Sequence, residues 1–203
     1  MRRTLLSIPL FALLALPAFA ARAESRFDAI KDRAERVGSL PGFLERFIGS
    51  CKDVYQRQAC EKNVAVARRS YEGKVLVATV TDRAAEIVRA EMLGDRYRIF
   101  LTPFIDGGGY ALTHGAPAGQ DSEGRPRIGF VVMQGGLPPG ATDLDFQSPF
   151  RTGNVEMEVV FRPEGTWKLK RRGAGYYEGV KARFLAVRLV DPRTGAEIAS
   201  KVL

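Results

Sequence analysis

One histidine, two cysteines and a short run of cations are the residues of this 203-residue chain whose types and spacing bear most directly on chemistry. His114 closes Leu112-Thr113-His114-Gly115 at an expected strand end. A hydrolytic site built on it needs a serine or thiol nucleophile and an orienting carboxylate, for which Asp106 is the nearby choice. The chain carries no Gly-x-Ser-x-Gly elbow. His114 therefore reads as a turn residue, and no catalytic residue is assigned.

Cys51 and Cys60 lie far in sequence from that histidine, so the three cannot supply the four ligands of a structural zinc. In an oxidising compartment two cysteines pair by default, and a Cys51–Cys60 disulfide is expected. Asp143 with Asp145, and Asp121 with Glu123, are closely spaced acids. Calcium takes about six to eight oxygens, so each pair reads as solvated loop acids rather than a metal site. Asp106-Gly107-Gly108-Gly109 lacks the Gly-Lys-Ser/Thr ending and joins strands, which makes it a turn rather than a phosphate cradle. No cofactor or metal is expected.

The most suggestive stretch is Trp167-Lys168-Leu169-Lys170-Arg171-Arg172, followed by Gly173-Ala174-Gly175-Tyr176-Tyr177. In a strand Trp167, Leu169 and Arg171 share one face, and Lys168, Lys170 and Arg172 the other. Three cations in a row with aromatics nearby can grip an anionic polymer. They also suit the guarded face of an edge strand, where lysines block pairing with another molecule.

Where such residues work is read from the N-terminus. Arg2 and Arg3 precede an apolar stretch from Leu5 to Ala20 broken by Pro9 and Pro17, and Ala21-Arg22-Ala23 offers a small-x-small cleavage site. Residues 1–23 read as a signal peptide, with a cut after Ala20 as the nearby alternative. The stretch is short of the roughly 20 uninterrupted apolar residues of a membrane span. No later apolar run follows, so no transmembrane segment is expected after cleavage. Arg2, Arg3 and Arg22 leave with the leader, so the formal charge falls from +8 to +5. That moderate basic excess favours anionic surfaces at low salt. Export and the lack of a recognition motif argue against nucleic acid.

The elements that must position these residues change character near residue 73. Helical spacing joins Phe27, Ile30, Ala34 and Val37 after a Ser25 cap, with Gly38 and Pro41 ending the first helix. A second helix from Pro41 aligns Leu44, Phe47, Ile48 and Cys51, and a third aligns Cys60, Val64, Ala67 and Tyr71. On one straight helix the cysteines would stand roughly 13 Å apart, beyond the limit of about 7 Å for a disulfide. The spacing therefore predicts a helical hairpin turning through Lys52 to Gln58.

From Lys74 the period becomes two. Strands are expected at Lys74 to Thr81, Glu86 to Leu93, Arg96 to Ile105, Tyr110 to His114, Arg127 to Gln134, Val155 to Phe161, Thr166 to Arg172, Val180 to Val190 and Ala196 to Val202. Pro163-Glu164-Gly165 reads as a turn and Gly135 to Phe150 as a long loop. The expected fold is α+β and mainly β: an antiparallel β-sandwich or small barrel of about eight strands preceded by a helical hairpin. The domain reading is residues 1–23 as leader, 24–72 as helical segment and 73–203 as β-sandwich, with 24–203 forming one unit.

The leader, Cys51, Cys60 and the closing Asp191-Pro192-Arg193-Thr194-Gly195 hairpin together resemble uncharacterised secreted families of Gram-negative bacteria. The resemblance implies a periplasmic or secreted protein and brings no activity. The leading function is a non-catalytic envelope module that binds another protein or an anionic surface polymer. The alternatives are a β-barrel carrier of a lipid or other apolar ligand, and an envelope hydrolase using His114.

Overall fold

The computed structural model describes residues 26–49, 51, 53–80, 88–101, 104–106, 109–129, 131–137 and 142–203. The leader read at 1–23 lies outside the described residues. The chain runs α1 (Arg26–Lys31), β1 (Glu35–Arg36), α2 (Leu40–Ile48), α3 (Arg57–Tyr71), β2 (Leu76–Val80), β3 (Val88–Leu93), β4 (Arg96–Leu101), β5 (Phe104–Asp106), β6 (Ala111–His114) and β7 (Val131–Gly136). It continues with α4 (Asp143–Thr152), β8 (Glu156–Lys170), β9 (Tyr176–Val190) and β10 (Glu197–Val202). The fold is mainly β, and the strands among the described residues form two sheets.

The larger sheet is ordered β1-β2-β8-β9-β6-β5, with β10 also pairing with β9. It is mixed rather than wholly antiparallel, because β1 runs parallel to β2 and β6 parallel to β9. β8 and β9 form its spine. One half of the pair is flanked by β2 and β10, the other by β6. Register shifts at Val160/Phe161 and Pro163/Gly165 bend this spine, and the sheet curls. The expected turn at Pro163-Glu164-Gly165 is thus a bulge inside one continuous strand. Glu164 is its extra residue, and its carboxylate holds Lys181 and Arg183 on β9.

The smaller sheet, β3-β4-β7, is antiparallel. Ile99, Leu101, Val131 and Met133 share one buried cluster with Met157, Val159, Phe161 and Leu189 of the larger sheet. Lys201 on β10 adds a tie by donating to Val132 O at 2.7 Å. α4 lies where a loop is expected. Thr142 and Asp145 form a capping box, Gly153 ends the helix in the left-handed region, and Phe146 stacks on Tyr97 at 4.7 Å.

The helices are shorter than the periodicity predicts at the start and well matched later. α1 stops at Lys31 because Glu35 and Val37 give their backbone N–H groups to Val75 and Val77 instead. α2 starts with Ser39 accepting from Gly42 N and ends at Gly49. Arg68 of α3 donates to Phe47 O and Ile48 O, satisfying the carbonyls at the end of α2. Cys51 and Cys60 are bonded, with Cα atoms 5.6 Å apart. Asp53 accepts from Tyr55 N, which turns the connection without glycine or proline. The half-buried face of α3 is Cys60, Val64, Ala67 and Tyr71. Leu40, Phe43, Leu44, Phe47 and Ile48 of α2 share the buried cluster with Phe161, Leu112 and Phe184 of the larger sheet.

Candidate anion-binding site

The site grows from the free end of the β8–β9 hairpin, and its foundation is Trp167. Its ring packs against Gly179 directly across the pair, where a Cβ would sit 2.4 Å from the indole. The indole N–H donates to Thr113 Oγ1 at 2.8 Å, and the fully buried Thr113 hydroxyl donates on to Gly115 O. β6 is thereby locked to the hairpin. Burial of an indole with its N–H satisfied makes a firm base for the exposed residues beyond it.

From Trp167 the side chains alternate as the sequence predicts. Lys168, Lys170 and Arg172 are exposed, while Trp167 is buried and Leu169 half-buried. Lys168 pairs with Glu178 across the strand, which holds the ammonium above its usual range, and its Nζ lies 4.2 Å from the Tyr176 ring centre. On the opposite face Arg171 covers Tyr177 at 4.3 Å. Both contacts are cation–π pairs. Among the described residues, Lys170 and Arg172 have no carboxylate within ion-pair distance.

The loop after β6 folds back against this tip, a convergence that the sequence did not signal. Gln120 Nε2 donates to Lys170 O at 2.6 Å, and the Arg172 side chain packs over Gly124. Asp121 and Glu123 both pair with Arg125. The Arg125 backbone N–H and guanidinium hold Asp121 below its usual range. These acids shape the loop. Asp143 and Asp145 likewise serve the first turn of α4. Among the described residues no group of three or more His, Cys, Asp or Glu could hold a metal ion.

His114 is brought to a different task. Its Nδ1 accepts the Phe184 backbone N–H at 2.9 Å, and the ring packs on Phe184 at 5.4 Å. Burial holds it below its usual range, although Glu164 draws it up, and Arg183 lowers it further. Asp106 pairs with Ala111, three residues back along β6. At about 3.3 Å per residue that is roughly 10 Å from His114 along the strand.

A family model described as "Family of unknown function (DUF6066)" matches residues 1–201. The chain belongs to this family. No curated protein and no solved structure matches it. In this DUF6066 chain four cations, Lys168, Lys170, Arg171 and Arg172, lie exposed at the β8–β9 tip.

Proposed function

We propose that the chain is an exported, non-catalytic envelope module that engages an anionic partner, a surface polymer or the acidic face of another protein, through the tip of the β8–β9 hairpin. The reading rests on one observation above others. Lys168, Lys170 and Arg172 are exposed at the end of a hairpin whose base is fixed by Trp167, so the backbone that carries the cations is held in place. A held backbone loses less entropy on binding than a free one. The leader pattern, the Cys51–Cys60 bond, and the absence among the described residues of a helix long and apolar enough to cross a membrane all suit work outside the cytosol. In this reading α2 and α3 form a stapled hairpin that plugs an open sandwich of two sheets, and the protein works in the periplasm or beyond.

The test compares the protein with the Lys168→Gln, Lys170→Gln, Arg172→Gln triple variant on a carboxylated or sulfated polymer column. The salt needed for elution should fall clearly in the variant. Identical elution of a folded variant would remove the hairpin from the account.

A further inference from the structure

We propose that the outer edge of β8 from Thr166 to Lys168, together with the Lys170 N–H, takes up an extended acidic segment of a partner protein, which joins the larger sheet as a further strand up to the point where Gln120 holds the Lys170 carbonyl. This rests on the hairpin being a surface for anionic partners, and it fixes the class of partner and the mode of contact. β2 covers β8 only from Met157 to Phe161. Beyond that point β8 has β9 on one side and, among the described residues, no strand on the other.

Two hydrogen bonds show which backbone groups face that open side. Arg171 N donates across the hairpin to Gly175 O at 3.0 Å, so residue 171 faces β9. Lys170 O accepts from Gln120 outside the hairpin, so residue 170 faces away. The two directions alternate along an antiparallel strand, and the register from Gly165 to Lys170 is unbroken. Thr166 and Lys168 therefore also turn their N–H and C=O groups outward. Such groups bind extended peptides by strand addition, and the side chains beside them select the sequence. Here those side chains are Thr166, Lys168 and Lys170, all exposed. Carboxylates at alternate positions of an added strand would lie opposite Lys170, which has no carboxylate partner among the described residues, and beside Lys168, whose ammonium they would share with Glu178. A second copy of this chain fits poorly, because antiparallel pairing centred on Lys168 sets that lysine against itself.

The experiment measures binding of fluorescently labelled acetyl-Glu-Thr-Glu-Val-Glu-Thr-Glu-amide to the mature protein, with dextran sulfate as a second probe. Thr166→Pro removes one outward N–H, changes no charge and breaks no bond to β9. It should weaken the peptide at least tenfold and leave dextran sulfate unchanged. Peptides N-methylated at every second residue, made in both phases, apply the same test to the unaltered protein: at least one phase should lose tenfold. Equal binding of the parent and both methylated peptides would overturn strand addition while leaving the anion site standing. A dimer of the protein that Thr166→Pro dissolves would also overturn it. Failure of both probes on the unaltered protein would instead overturn the reading of the hairpin itself.

Discussion

Trp167 and Gly179 face each other across β8 and β9 so closely that a Cβ on residue 179 would stand 2.4 Å from the indole and 2.6 Å from Ala111 O. The carbonyl belongs to the β6 backbone and cannot swing aside. Gly179→Ala should therefore cost about 1–3 kcal/mol, as overpacked cores do. Urea unfolding measures it, and an unchanged midpoint would mean the indole is not wedged between these strands.

Glu158 is buried between Lys31 of α1 and Arg188 of β9, and Arg188 also holds Asp28 and lies over the Phe27 ring at 4.5 Å. Burial pushes the Glu158 carboxyl up, but its bonds to Lys31 and Arg188 outweigh burial and hold it below 4.5. A depressed folded value means stability that is complete above pH 4.5 and lost as pH falls through the folded value. Glu158→Gln should lower stability at pH 7 by about 1–3 kcal/mol and flatten the acid limb of the stability curve. An acid limb as steep as the parent's would assign that limb to other carboxylates.

No side chain of α3 is fully buried, so its place depends on the disulfide and on Arg68. On the chain-entropy model a loop this short contributes about 2.5–3 kcal/mol. In the Cys51→Ser, Cys60→Ser variant, amide exchange should speed up across Arg57–Tyr71 while β8 and β9 keep their protection. Uniform acceleration through the sheet would show that α3 is integral to the core.

Much of this arrangement is written in local pattern. The Cys51–Cys60 bond followed from the cysteine count and the expected oxidising compartment, and the faces of Lys168 and Trp167 from a two-residue period that needs no tertiary information. The parallel β1–β2 and β6–β9 pairs were illegible, since pairing partners far apart in sequence leave no local trace. Pro163-Glu164-Gly165 carries the composition of a turn, yet a bulge uses the same residues, and only the length of β9 opposite decides between them. α4 was signalled by Thr142 and Asp145 at capping-box spacing, a cue masked by the surrounding glycines and prolines. The fold of the loop carrying Gln120 and Arg125 onto the hairpin was equally hidden, because it joins segments about 50 residues apart.

The central claim is that anions meet this protein at the β8–β9 tip. Backbone amide shifts recorded while dextran sulfate is titrated into the isotope-labelled mature protein test it most directly. The account predicts that the resonances that move belong to residues 166–178 and to the loop at 119–125, and that 0.3 M salt suppresses the movement. Shifts centred on α3 or on β3 and β4, with the hairpin silent, would contradict it.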